Sequence, residues 1–224
     1  MPLLTALTAL TACAASPATL GDEQALRQAT VSLGGFCAGV VVGPHEVLTA
    51  AHCVSALGQS VRVHYATKAV DVAQAIAVDR ASDLAVLHLP RKAPVAPLAI
   101  RPTGPEPGET VLFTGRNDFG HPFERATVDR LGRCPSLPRV PQAIFTTIRA
   151  RPGDSGSPIV DEQLQVVGLV HGGARCHIAA PTADASRLVA QARQALDSCG
   201  KAQVSARRGF CRPQPPRTPS TRHR

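Results

Sequence analysis

One serine of this chain stands where the backbone can turn tightly around it, in the segment Gly153-Asp154-Ser155-Gly156-Ser157-Pro158. A hydroxyl nucleophile needs such a turn if neighbouring N–H groups are to point at a developing oxyanion. Position 157 is Ser, so the GxSxG nucleophile elbow is absent. Upstream, TAAHC (49–53) sets His52 just after an apolar run, and ASDLAVLHL (81–89) sets Asp83 at the start of another. Taken singly, each residue also fits a plainer role: a turn serine, a packed histidine, a strand-start cap. Metal chemistry has less behind it. HEVLT (45–49) opens like HExxH but has Thr49 in place of the second histidine, there is no CxxC pair, and Cys176 with His177 lacks further nameable ligands. Neither a metal nor a cofactor is expected.

The elements that must position these residues read as short strands. FCAGVVV (36–42), EVLTA (46–50), VRVHY (61–65) and LAVLHL (84–89) are short apolar runs rich in β-branched residues. After RPTGPEPGE (101–109) the pattern resumes with VLFTG, AIFTTI, SPIV and LQVVGLV. The stretch from Ala99 to Glu109 is therefore a seam between two all-β halves. A helix is expected over DASRLVAQARQALDSCG (184–200), capped by Asp184 or Ser186 and ended by Gly200, with Leu188, Val189, Ala192 and Leu196 on the face that docks. A shorter helix fits DEQALRQA (22–29). Composition agrees: of 224 residues, 44% are hydrophobic but only 3% aromatic, and 18 Gly and 20 Pro supply frequent turns. No run approaches the roughly 20 apolar residues of a spanning helix.

The net charge of +8 is a property of one end. Lys201 to Arg224 hold seven of the 24 basic residues and none of the 16 acidic, which leaves the body at +1. With so few aromatic rings for stacking, nucleic acid is not an expected partner. The Pro/Arg-rich tail reads as a solvated appendage pinned by Cys211, with an acidic partner as the sharper alternative. At the other end, MPLLTALTALTACAASPAT is apolar and ends in small residues, as an export signal does, although it lacks a basic start. Leu10-Thr11-Ala12-Cys13 is similar to a bacterial lipoprotein box, which would make Cys13 a lipid anchor to a membrane. Cleavage near Ala14 or Ala15 is the alternative. Seven cysteines with such a start point to an oxidising compartment, and without Cys13 six remain: Cys37, Cys53, Cys134, Cys176, Cys199 and Cys211.

The order His52, Asp83, Ser155 in three separated motifs resembles the trypsin and chymotrypsin-like serine peptidase family, in its short bacterial form. The resemblance covers roughly residues 30–198. It implies an all-β fold of two antiparallel β-barrels with a C-terminal helix and an active site between the barrels. The matching organisation is an export signal and N-terminal segment (1–29), barrels at 30–100 and 101–183, a helix at 184–199 and a basic tail at 200–224. Cys37 and Cys53 match the family's disulfide around its catalytic histidine. The same resemblance implies that Ser155 attacks a scissile peptide carbonyl, His52 relays the proton and Asp83 orients the imidazole. The N–H groups of Gly153 and Ser155 would form the oxyanion hole. The expected activity is that of an exported, monomeric serine endopeptidase on protein or peptide substrates.

Several positions depart from the family pattern. No IVGG-like strand follows a basic residue, so a freshly cut N-terminus cannot be assigned to Asp154, which must find another partner. Pairing Cys134 with Cys176 and Cys199 with Cys211 is one arrangement among those left open. Arg149 occupies the pocket-base position where Asp would favour cleavage after Lys or Arg, with Ala150 beside it. Val170, His171, Gly172 and Gly173 resemble the opposite, substrate-binding wall, and Arg149 with His171 would favour an acidic side chain. His45, His64, His88, His121 and His177 have no partner at a motif spacing and read as surface or packed positions. The rival to an enzyme is a catalytically silent relative that binds a partner with its fold and basic tail.

Overall fold

The computed structural model describes residues 20–116, 120–172 and 178–205, with side chains to 198. Within them the chain closes twice on itself. Strands β1 (Thr30–Leu33), β2 (Cys37–Gly43), β3 (Glu46–Ala50), β4 (Ser60–His64), β5 (Val70–Asp79) and β6 (Leu84–His88) form one antiparallel barrel in the order β1-β2-β3-β6-β5-β4. Strands β7 (Thr110–Phe113), β8 (Glu124–Gly132), β9 (Ala143–Thr146), β10 (Pro158–Val160), β11 (Val166–Val170) and β12 (Ile178–Pro181) form the second, ordered β10-β11-β12-β9-β8-β7. Helix α1 (Leu20–Ala29) leads in and α2 (Ala185–Ser205) follows. The all-β, two-barrel expectation is met. Among the described residues no helix is long and apolar enough to cross a membrane.

Burial follows each strand's place. β4 alternates exposed and buried residues, whereas all five residues of β3 are buried. The antiparallel register of β3 with β6 pairs Ala50 with Leu84. His52 leaves β3 at the end where Asp83 enters β6, so one pairing of backbones brings the two together. The single 3-10 turn Ala51–Cys53 carries His52, and the Arg80 guanidinium donates to the Ala51, Val54 and Ser55 carbonyls around it. The disulfide from Cys37 to Cys53 ties the same turn to the start of β2.

The second barrel docks through its serine turn. The Ala38 N–H donates to the Ser155 carbonyl at 2.8 Å, and a Cβ on Gly156 would lie 2.2 Å from the Ala38 carbonyl oxygen. Gly156 also has φ +85°, the left-handed region that disfavours other residues. A shared core spans the junction, including Val40 and Leu48 from the first barrel, Leu112 and Leu169 from the second, and Val189 and Ala192 from α2. Helix α2 returns across the first barrel, where Arg193 Nε and Nη2 meet Glu46 Oε1 and Oε2 at 2.7 and 2.6 Å. This two-pronged contact gives the helix one rotational setting.

Two local expectations change. Gly200 does not end α2, which runs on to Ser205; an interior glycine costs about 1 kcal/mol, and the following Lys201, Ala202 and Gln203 are good helix formers. Strands β5 and β8 were not apparent in the sequence, because β5 buries Asp71 while exposing Val70, Val72 and Gln74, and the outward positions of β8 carry polar residues such as Arg125 and Asp129. Pairing on both sides supplies what their composition lacks. The expected export segment at 1–19 with Cys13, the tail from 206 with Cys211, and Gly173, Cys176, His177 and the Cys199 side chain lie outside the described residues.

Two measurements check these supports. Replacing Cys37 and Cys53 together by Ser removes roughly 3 kcal/mol of loop-closure stabilisation and lowers Tm by about 6–12 °C in a thermal scan. Gly156→Ala forces both strain and overlap with the Ala38 backbone, and a denaturant titration should show a loss on the order of 3 kcal/mol.

Candidate active site

Asp83 sits at φ +57°, a left-handed setting that Asp tolerates better than most residues, and is 4% exposed. Its carboxylate collects donors. The His52 backbone N–H reaches Oδ1 at 3.0 Å and His52 Nδ1 reaches Oδ2 at 2.9 Å. His171 Nδ1 reaches Oδ2 at 2.5 Å from the second barrel. A carboxylate only accepts, so both rings present a proton on Nδ1 to it. Burial alone would push the Asp83 carboxyl up, but hydrogen bonds from the His171 and His52 rings hold it at about 2. The two imidazoles meet edge to face, with centroids 5.1 Å apart.

Ser155 lies across the junction, half-buried, and its hydroxyl donates to the His171 carbonyl at 3.4 Å. The turn around it is held by Asp154 N–H to the Arg151 carbonyl, Gly156 N–H to the Val170 carbonyl and Ser157 N–H to the Asp154 carbonyl. Gly153 has φ +101°. Among the described residues, no acceptor takes the N–H of Gly153 or of Ser155. The turn therefore presents two free donors beside the hydroxyl.

A cavity of about 280 Å³ opens at His52 and Asp83, lined also by Ala51, His171, Leu137 and Arg139. The His52 side chain is 39% exposed and faces this space. His52 Nδ1, the Asp83 carboxylate and His171 Nδ1 also lie within 4.8 Å of one another, the donor types of a cation site. Hydrogen bonds account for that spacing: each Nδ1 proton is already given to Asp83, and a metal would have to replace it.

His171 lines the cavity and also meets the first barrel. Its ring turns to Asp83 while Val170 is buried in the second barrel, because successive residues of an extended chain face opposite ways. That alternation was available in VGLVHGG. Gly172 remains beside the serine, where an added Cβ would stand 3.6 Å from the Ser155 hydroxyl. Arg149 is exposed, with its backbone N–H on Glu124 Oε2, and Ala150 is half-buried. Cys134 is disulfide-bonded. His121, read above as a surface or packed position, is fully buried against Asp154; nothing in the spacing connects those two residues.

The fold has counterparts among solved structures. It is similar to the Rv3671c protease in an inactive form, with TM-score 0.60 and 23% identity, covering 75% of this chain and 90% of that one. It is also similar to the serine endoprotease from Yersinia pestis, with TM-score 0.61 and 20% identity, covering 76% of this chain and 65% of that one. At these identities the likeness is one of fold. No curated protein matches the chain. Residues 37–169, more than half of the sequence, match the trypsin-like peptidase domain, and the chain belongs to that family of peptidases.

Proposed function

We infer that this protein is a serine endopeptidase in which Ser155 is the nucleophile, His52 the general base and acid, and Asp83 the group that orients His52. The observation that carries the reading is the His52 Nδ1 to Asp83 contact at 2.9 Å, beside a serine whose turn leaves two N–H groups free. With its Nδ1 proton held by Asp83, His52 keeps Nε2 open to accept the Ser155 proton. The hydroxyl exchanges its long contact with the His171 carbonyl for His52 as substrate seats, since catalytic hydrogen bonds tighten in the bound complex. Attack on the scissile carbon then forms the tetrahedral adduct, whose oxyanion takes the Gly153 and Ser155 N–H groups. His52 delivers its proton to the leaving amine, and water repeats the sequence on the acyl-enzyme.

The finer assignments follow from the same residues. Arg149 at the pocket base disfavours cleavage after Lys or Arg. With the His171 ring given to Asp83, only Arg149 remains to attract an acidic side chain. Export fits the disulfide from Cys37 to Cys53 and the bonded state of Cys134, because such bonds persist in oxidising compartments.

Labelling of the purified, oxidised protein by a fluorophosphonate probe tests the reading. The wild-type chain should label and Ser155→Ala should not, while His52→Ala lowers peptide turnover by on the order of a millionfold. An unlabelled, folded wild-type protein would instead favour a silent binding scaffold. Asp83→Asn should lower kcat by about 10⁴-fold by releasing the His52 tautomer. Asp83 also links activity to acid stability. Its carboxyl lies at about 2 in the folded chain against an ordinary 3.8. It therefore adds about 2 kcal/mol that is complete above roughly pH 4 and lost as pH falls toward 2. Unfolding titrations over that range should be flatter in Asp83→Asn.

A further inference from the structure

Asp154 immediately precedes Ser155 and is completely buried. A carboxylate taken out of water needs compensating charge and donors. The Arg116 backbone N–H reaches Oδ1 at 2.9 Å and the Arg151 backbone N–H reaches Oδ2 at 2.7 Å. Opposite them, His121 Nε2 lies 3.3 Å from Oδ2, at ion-pair distance but short of hydrogen-bond alignment, and both side chains are 0% exposed. The site is shaped to the ring. Phe113 meets it edge to face at 5.2 Å, and a Cβ on Gly115, at φ +62°, would stand 2.6 Å from its carbons.

The other edge of the ring also meets oxygens. His121 Nδ1 is 3.3 Å from the Pro122 carbonyl oxygen and 4.0 Å from Glu124 Oε1. Both nitrogens thus face acceptors, and a neutral imidazole has only one N–H to offer. Among the described residues, the charged groups paired with the ring, Asp154 and Glu124, are both carboxylates. Arg116 and Arg151 serve Asp154 through their backbones; the Arg116 guanidinium turns away to the Gly35 carbonyl and Arg151 is exposed.

We propose that His121 is a positioning residue: as a buried imidazolium it neutralises Asp154 and thereby holds the Gly153–Ser155 turn with both N–H groups open. This rests on the peptidase reading above and extends it. The second barrel supplies from its own interior the cation that its serine turn requires, so the folded chain needs no cut to complete the site. Displacing the cation leaves Asp154 uncompensated and drives it toward water, carrying the adjoining N–H groups with it.

The test compares His121→Phe, which keeps ring volume against Phe113, with His121→Gln, which keeps an uncharged donor near the Nε2 position. His121→Phe should lower the fluorophosphonate labelling rate by about a hundredfold or more and lower peptide turnover in kcat rather than KM, and His121→Gln should recover part of both. Labelling of a folded His121→Phe at the wild-type rate would overturn the proposal, leaving His121 a packing residue. Nitrogen-15 NMR of the wild-type chain gives a readout independent of any variant. Both His121 ring nitrogens should carry protons at the pH of full labelling, and a neutral ring there would equally overturn it. A wild-type protein that fails to label counts against the peptidase reading, and the NMR result still decides the charge of His121.

Discussion

The seating of the serine turn on the edge of β2 is the constraint on which the site depends. His52 and Asp83 come from the first barrel and Ser155 from the second, so their relation is set by how closely two independently closed sheets approach. The Ala38 N–H to Ser155 carbonyl bond fixes that approach in direction, and the missing side chain at Gly156 permits it in distance. Barrels have no free edges through which to pair. Here the contact instead uses a single backbone bond at a turn, surrounded by a core shared with α2. Helix α2 reinforces the arrangement from behind, since it follows the second barrel in sequence yet is held to β3 of the first by Arg193 and Glu46.

Around the serine, two buried aspartates are handled in different ways. Asp83 is satisfied by N–H donors from both barrels, and one of them, the His52 ring, remains partly in contact with solvent. Its negative charge thus lies against a ring that reaches solvent. Asp154 is enclosed wholly inside the second barrel, where two backbone N–H groups donate to it and the unexposed His121 ring lies at 3.3 Å. Low dielectric strengthens both interactions, but only the first is coupled to the cavity. One carboxylate therefore lines the cavity, and the other is enclosed beside the serine turn.

His171 joins these halves. Among the described residues it is the one from the second barrel whose ring binds Asp83, while its carbonyl receives the Ser155 hydroxyl. A movement between barrels would disturb both contacts together. The covalent tie from Cys37 to Cys53 acts on the opposite side, limiting movement of the turn that carries His52.

The sequence by itself determined the elements whose signal is local. The apolar, β-branched runs at 36–50 and 84–89 become β2, β3 and β6, and the Ser155 segment becomes a turn because its glycines allow it. The pairing of Cys37 with Cys53 was legible only through the family resemblance, which also singled out His52 and Asp83. Strands β5 and β8 were not legible, since their mixed surfaces are stabilised by neighbours rather than by their own composition. The tertiary structure alone decided where His171 and His121 point. Both lie far along the chain from the aspartates they meet, and a side chain's partner at that separation is set by strand register and barrel closure. Residue type could show that two buried carboxylates would need donors; only the folded chain could say which donors they found, because desolvation has no meaning until the surfaces that exclude water have closed.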